Sequence, residues 1–167
     1  MTSLARIAVG VAVERRKAQS PWLQEVWRAV SVFAGLPAAA PWTIIDGTEE
    51  VTTFYAGDAV IELYRTETAN YLSNLAAAVP LLWVVLRSTA SDPPFDLLTV
   101  TADPAEGEAL TGAGSDWVDS VPMAASIREQ VQAFVAEHHV ERPMFKRQRD
   151  RSGASATRVR DASGGES

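Results

Sequence analysis

The stretch from Leu81 to Leu86 is apolar without a break, and it constrains the fold more than any other part of the chain. Pro80 stands before it and stops a helix arriving from Leu75. Counted back to Leu75, the apolar run covers about 12 residues, against the roughly 20 needed to cross a bilayer. A short run rich in Val and Leu reads as a central strand, buried on both faces. Trp83 lies within it and is expected in the core.

Other strands follow from alternation. Ile7, Val9, Val11 and Val13 alternate with Arg6, Ala8, Gly10 and Ala12, which gives a strand with one apolar face. Val26 to Phe33 and Trp42 to Asp46 are further β-rich runs, separated by Gly35-Leu36-Pro37 and an Ala/Pro stretch. Val51 to Tyr55 and Ala59 to Arg65 read as two arms of a hairpin turning at Ala56-Gly57-Asp58. Phe95 to Thr101 alternates again, which brings the β-rich segments to seven.

Two or three helices are expected. The first runs from about Glu67 to Ala77, capped by Thr66, with Tyr71, Leu72, Leu75 and Val79 at helical spacing. The second opens at Asp103-Pro104, an N-cap followed by a first-turn proline, and closes at Gly112 and Gly114. The third covers about Ala124 to His139, with Ile127, Val131, Phe134, Val135 and His138 along one face. Together these predict an α+β domain over residues 1–142. Its mostly antiparallel sheet of six to seven strands is expected to be strongly curved or barrel-like. Residues 143–167 lose the apolar pattern and are expected to form a basic, disordered tail.

Charge and composition narrow the function classes. Residues 1–140 hold 8 basic and 17 acidic side chains, a net of −9; residues 141–167 hold 7 and 4, a net of +3. An acidic body argues against nucleic acid lying across it. Contact through residues 142–151 alone would be weak and would fade steeply with salt. The chain has no Cys, which removes disulfides, thiolate zinc sites, cysteine-ligated iron–sulfur clusters and a cysteine nucleophile. Near the N-terminus, the apolar stretch Leu4 to Val13 precedes the charged Glu14 to Lys17, the reverse of a signal peptide's order, so a cytoplasmic protein with no membrane partner is expected.

No residue set points to catalysis, a metal or a cofactor. His138 and His139 are the only histidines, and adjacent helical positions point about 100° apart, so they do not chelate as an i, i+4 pair does. Glu49-Glu50, Glu106/Glu108 and Asp116/Asp119 read as solvated acids in turns and helix starts. No phosphate-loop, dinucleotide, nucleophile-elbow or HExxH motif occurs. Trp22 and Trp42 neighbour prolines; one is a candidate anchor, and packing under a loop is the plainer reading.

Two groups remain as candidate sites. Arg65, Thr66, Asn70, Tyr71 and Asn74 concentrate polar groups at a strand-to-helix junction and would suit a small-molecule pocket. His138, His139, Arg142, Met144, Phe145, Lys146, Arg147 and Arg149 combine the end of the last helix with apolar residues amid cations. There Phe145 is a candidate anchor for a protein partner, while the cations would steer an acidic surface.

Linear motifs carry one resemblance. Val9-Gly10-Val11-Ala12-Val13-Glu14-Arg15-Arg16, Pro21-Trp22, Trp27-Arg28 and Ala40-Pro41-Trp42 begin it. Phe54-Tyr55-Ala56-Gly57, Glu62 to Thr68, Tyr71, Asn74 and Trp83 to Arg87 continue it. Val121-Pro122-Met123 and His138 to Pro143, through Lys146-Arg147, close it. Over roughly residues 5–149 the chain resembles an uncharacterised bacterial family encoded beside molybdenum- or tungsten-dependent formate dehydrogenases. The resemblance implies an accessory subunit or assembly factor that meets a formate dehydrogenase catalytic or electron-transfer subunit. It supplies no catalytic residues to carry over. Enzymes of molybdopterin-nucleotide attachment use an N-terminal Gly-rich phosphate loop, which is missing here.

Overall fold

A computed structural model describes residues 4–18, 25–35, 37–112 and 116–140. Seven strands and three helices follow in the order β1 (Ala5–Lys17), β2 (Glu25–Ala34), β3 (Thr43–Gly47), β4 (Val51–Leu63), α1 (Thr68–Leu75), β5 (Leu81–Ser88), β6 (Phe95–Thr101), α2 (Pro104–Thr111), β7 (Asp116–Pro122) and α3 (Ala125–His138). A single 3₁₀ turn, Arg65–Glu67, joins β4 to α1. The class is α+β and every strand pairing is antiparallel.

The expected curved or barrel-like sheet does not form. The strands divide into a four-stranded sheet, β2-β1-β4-β3, and a three-stranded sheet, β6-β5-β7, and neither closes. Alternation along a strand fixes which face is buried but leaves the choice of partner open, and here β4 passes directly into a helix instead of another strand. Side chains join the two sheets. The Ala29 N–H of β2 donates to Asp119 Oδ2 of β7 at 2.9 Å. The Trp27 ring stacks on Phe54 within its own sheet and meets Phe95 of the other edge-on, at 5.5 Å between centroids.

The expected hairpin at Ala56-Gly57-Asp58 is also corrected. β4 runs straight through these residues, and both of its halves pair with β1. Val11 faces Gly57 and Ala12 faces Tyr55, so Ala56 is the extra residue of a bulge. Gly57 adopts φ 136°, a conformation that only glycine enters readily, which is why a turn-like triplet sits inside a strand. The count of seven strands survives because β7, unmarked in the sequence, replaces the lost hairpin arm.

The core lies between the sheets and α3. Ile7, Val9, Val11 and Val13 of β1 pack with Ile61 and Leu63 of β4, Leu82, Val84 and Leu86 of β5, and Ile127, Val131 and Phe134 of α3. The strand over Leu81 to Leu86 is central in its sheet, flanked by β6 and β7. Trp83 is half-buried rather than fully enclosed. Its indole lies under α2 at Gly107, where an added Cβ would stand 2.5 Å from Trp83 Cγ. Glycine therefore allows the helix to approach the sheet closely.

Candidate partner-binding cleft

β4 ends at Leu63, Tyr64 is still extended, and the chain tightens through the 3₁₀ turn into α1. Thr66 is not the helix cap: Glu67 occupies that position and no side chain caps the helix. Thr66 Oγ1 instead donates to Glu67 Oε2 at 3.1 Å. Thr68, Tyr71 and Asn74 are the buried residues of α1, whereas Leu72 and Val79 are exposed. Apolar spacing thus misplaces the inward face, because polar groups at Thr68 and Asn74 find partners inside the fold.

The group expected to form a small-molecule pocket is split by the geometry. Asn74 Nδ2 donates to the carbonyls of Leu81 at 2.8 Å and Ala102 at 3.0 Å, and its Oδ1 accepts from the Leu81 N–H at 2.9 Å. It is a clamp between α1 and the three-stranded sheet. Tyr71 is buried, and its hydroxyl accepts from the Tyr64 N–H at 2.9 Å. Burial pushes its pKa up to about 12, against the opposing pull of the Tyr64 hydrogen bond. Asn70 Nδ2 bridges Glu67 Oε1 and Asp103 Oδ1, both at 3.1 Å, on the α2 side of the helix. There Asp103 caps α2 by accepting from the Ala105 and Glu106 N–H groups.

Arg65 and Thr66 face a different space. They line a cleft of about 370 Å³ with Thr68, Ala69, His138, His139 and Val140. α3 ends there: His139 leaves helical geometry at φ −76°, ψ 131°, with its N–H still bonded to the Val135 carbonyl. His139 Nδ1 lies 2.9 Å from Thr68 Oγ1, which itself donates to the Arg65 carbonyl at 3.3 Å. The His138 ring lies against Phe134, 4.6 Å between centroids, and its Nε2 is 3.8 Å from Glu137 Oε1. Arg6, Arg15, Arg16, Arg28 and Arg87 each pair with a carboxylate, whereas Arg65 pairs with none among the described residues.

The cleft therefore unites residues from both candidate groups: Arg65 and Thr66 from one, His138 and His139 from the other. Arg142, Met144, Phe145, Lys146, Arg147 and Arg149 lie outside the described residues, as does Trp22. Trp42 packs edge-on against Trp27 and Phe54 and is half-buried. Asp103 and Glu106 are the carboxylates beside Asn70; the sequence marks Asp103 as a helix cap and Glu106 as a solvated acid. Among the described residues, no group of three or more His, Asp or Glu is placed to hold a metal ion, and no helix is long and apolar enough to cross a membrane.

The chain matches no curated protein and no solved structure. Residues 8–149 match the family described as "Protein of unknown function (DUF3305)". The chain belongs to that family.

Proposed function

We propose that this chain is a non-catalytic accessory subunit or assembly factor of a molybdenum- or tungsten-dependent formate dehydrogenase. It acts in the cytoplasm on that enzyme's catalytic or electron-transfer subunit. The resemblance carried by the linear motifs over roughly residues 5–149 implies the partner; the family match over residues 8–149 names no function. One structural observation favours a protein-binding role. The cleft holding Arg65, His138 and His139 ends at Val140, 75% exposed, and the basic segment of the sequence begins directly after it.

The grip we assign runs from His138 to Arg149. Its cations set orientation and encounter rate, and Phe145 supplies apolar area worth about 1.5–3 kcal/mol when enclosed. The rival pocket reading loses support because Tyr71 and Asn74 are already engaged within the fold.

Affinity purification of the full-length chain from its native host tests the proposal. A formate dehydrogenase polypeptide is expected in the eluate, and its absence overturns the reading. A stable subunit travels with active enzyme, whereas an assembly factor travels with the cofactor-free catalytic chain.

A further inference from the structure

We infer that the open edge of β6 docks a basic, extended segment of another polypeptide, which pairs with the strand through its backbone and places a lysine or arginine among Glu67, Asp103 and Glu106. This surface lies on the α2 side of α1, apart from the cleft at His139, and rests on no claim about formate dehydrogenase.

The backbone supplies the first half of the argument. β6 hydrogen-bonds to β5 alone. In an antiparallel pair, alternate residues turn their N–H and C=O groups away from the partner, so half of the backbone groups of β6 face outward. Beside it, β3 covers Thr52 to Tyr55 of β4, and the rest of that edge of β4 has no strand paired to it. Val60, Glu62 and Tyr64 line one groove of about 220 Å³ with Thr99 to Thr101 and Glu106. Successive strand residues point to opposite faces, and the Val100 side chain is in the core at 2% exposure. A groove that touches Thr99, Val100 and Thr101 together therefore runs along the backbone edge. Such an edge is a template for one more strand.

Charge selects the occupant. A second space, of about 470 Å³, shares Tyr64 and Glu106 with the groove and adds Glu67, Asn70 and Asp103. Its three carboxylates pair with no cation among the described residues. Asp103 is 8% exposed; its Oδ1 accepts from the Asn70 amide and from the Ala105 and Glu106 N–H groups. Its Oδ2 has no hydrogen-bond partner among the described residues. A buried carboxylate oxygen without a donor favours an occupant that brings one, and lysine or arginine brings donor and opposite charge together. An acidic strand on the same edge would be repelled, so charge fixes which extended segment the edge accepts.

The test uses the full-length, ¹⁵N-labelled chain titrated with an N-acetylated, amidated five-residue peptide of alternating lysine and valine. Saturable shifts are expected at the Thr99, Val100 and Thr101 amides and at the Asn70 side-chain amide. Glu67→Gln with Glu106→Gln keeps acceptor oxygens for Asn70 and Thr101, and is expected to weaken binding roughly fivefold, the worth of two exposed ion pairs, at unchanged melting temperature. The same peptide methylated on its backbone nitrogens is expected to give none of these shifts. Shifts confined to other residues overturn the inference, as does equal affinity in the double variant. Equal binding of the methylated peptide, or of spermidine, assigns the site to a cation without a strand and also overturns it. The same shifts appearing with protein concentration alone give the edge to a second copy of this chain and overturn it as well. None of these readouts involves formate dehydrogenase, so their failure and the failure of co-purification are separate results.

Discussion

Replacing Asn74 separates a structural clamp from a ligand-binding residue. Its side chain makes three hydrogen bonds, to Leu81 O, Ala102 O and Leu81 N, and is 5% exposed. In Asn74→Ala all three are lost with little water to replace them. At about 1 kcal/mol for each net hydrogen bond, the loss is about 3 kcal/mol. For a chain of this size that lowers the melting temperature by roughly 6–12 °C. Asn74→Asp keeps the shape and the acceptor for Leu81 N–H, but its ionised form aims negative charge at two carbonyl oxygens. Its folded carboxyl is then harder to ionise than the unfolded one, so the native state holds its proton to higher pH. Stability of Asn74→Asp relative to wild type is therefore worst near neutrality and recovers as the pH falls toward the ordinary Asp value of about 4. Thermal melts of both variants between pH 4 and 8 read this directly. An unchanged melting temperature in Asn74→Ala would refute the clamp, and a deficit in Asn74→Asp that grows on acidification would refute the sign.

Three further outcomes follow from the geometry. Gly107→Ala should destabilise by about 1–2 kcal/mol in urea unfolding, because overpacking against Trp83 outweighs the gain in helix propensity; in a Trp83→Leu background the same change becomes neutral or stabilising. Tyr55 and Tyr71 should ionise near pH 12 in absorbance titration, both held up first by burial, with the Asp58 hydrogen bond adding to the effect at Tyr55. Their native pKa values exceed the unfolded value of 10.0, so the stability they contribute is complete below pH 10 and is lost between pH 10 and about 12. Deleting residues 143–167 should leave the melting temperature unchanged and abolish co-purification of the formate dehydrogenase polypeptide; retained co-purification places the grip elsewhere.

Local signals in the sequence hold wherever one residue's chemistry settles the local conformation. Asp103-Pro104 marks the start of α2 because the carboxylate accepts from the exposed N–H groups and proline needs no partner there. The apolar face of α3 is legible because Ile127, Val131, Phe134 and Val135 have only the core to cover them. The same logic fails at Ala56-Gly57-Asp58. Glycine with positive φ serves a turn and a bulge equally well, and only the long β1 alongside decides for the bulge. β7 escapes notice for a related reason. Asp116, Asp119, Ser120 and Pro122 dilute its alternation, and Asp119 is there to bond the Ala29 N–H of a distant strand.

The cleft depended on contacts that no local pattern encodes. Arg65 and His139 line one cleft because the end of α3 lies beside the start of α1, where Thr68 bonds His139 across 71 residues of sequence. Residue type alone gave both groups a polar character, yet burial then assigned them opposite fates. Asn74 and Tyr71 point inward, where an unsatisfied polar group costs about 1–3 kcal/mol, so the fold completes their hydrogen bonds internally. Arg65 lies at the exposed edge of the same junction, where water satisfies its guanidinium and folding exerts no demand for a partner. Among the described arginines, Arg6, Arg15, Arg16, Arg28 and Arg87 pair with carboxylates, whereas Arg65 and Arg128 do not. The side chains that folding has already satisfied are unavailable to a ligand. At this junction Arg65 is the side chain that folding leaves without a carboxylate partner among the described residues.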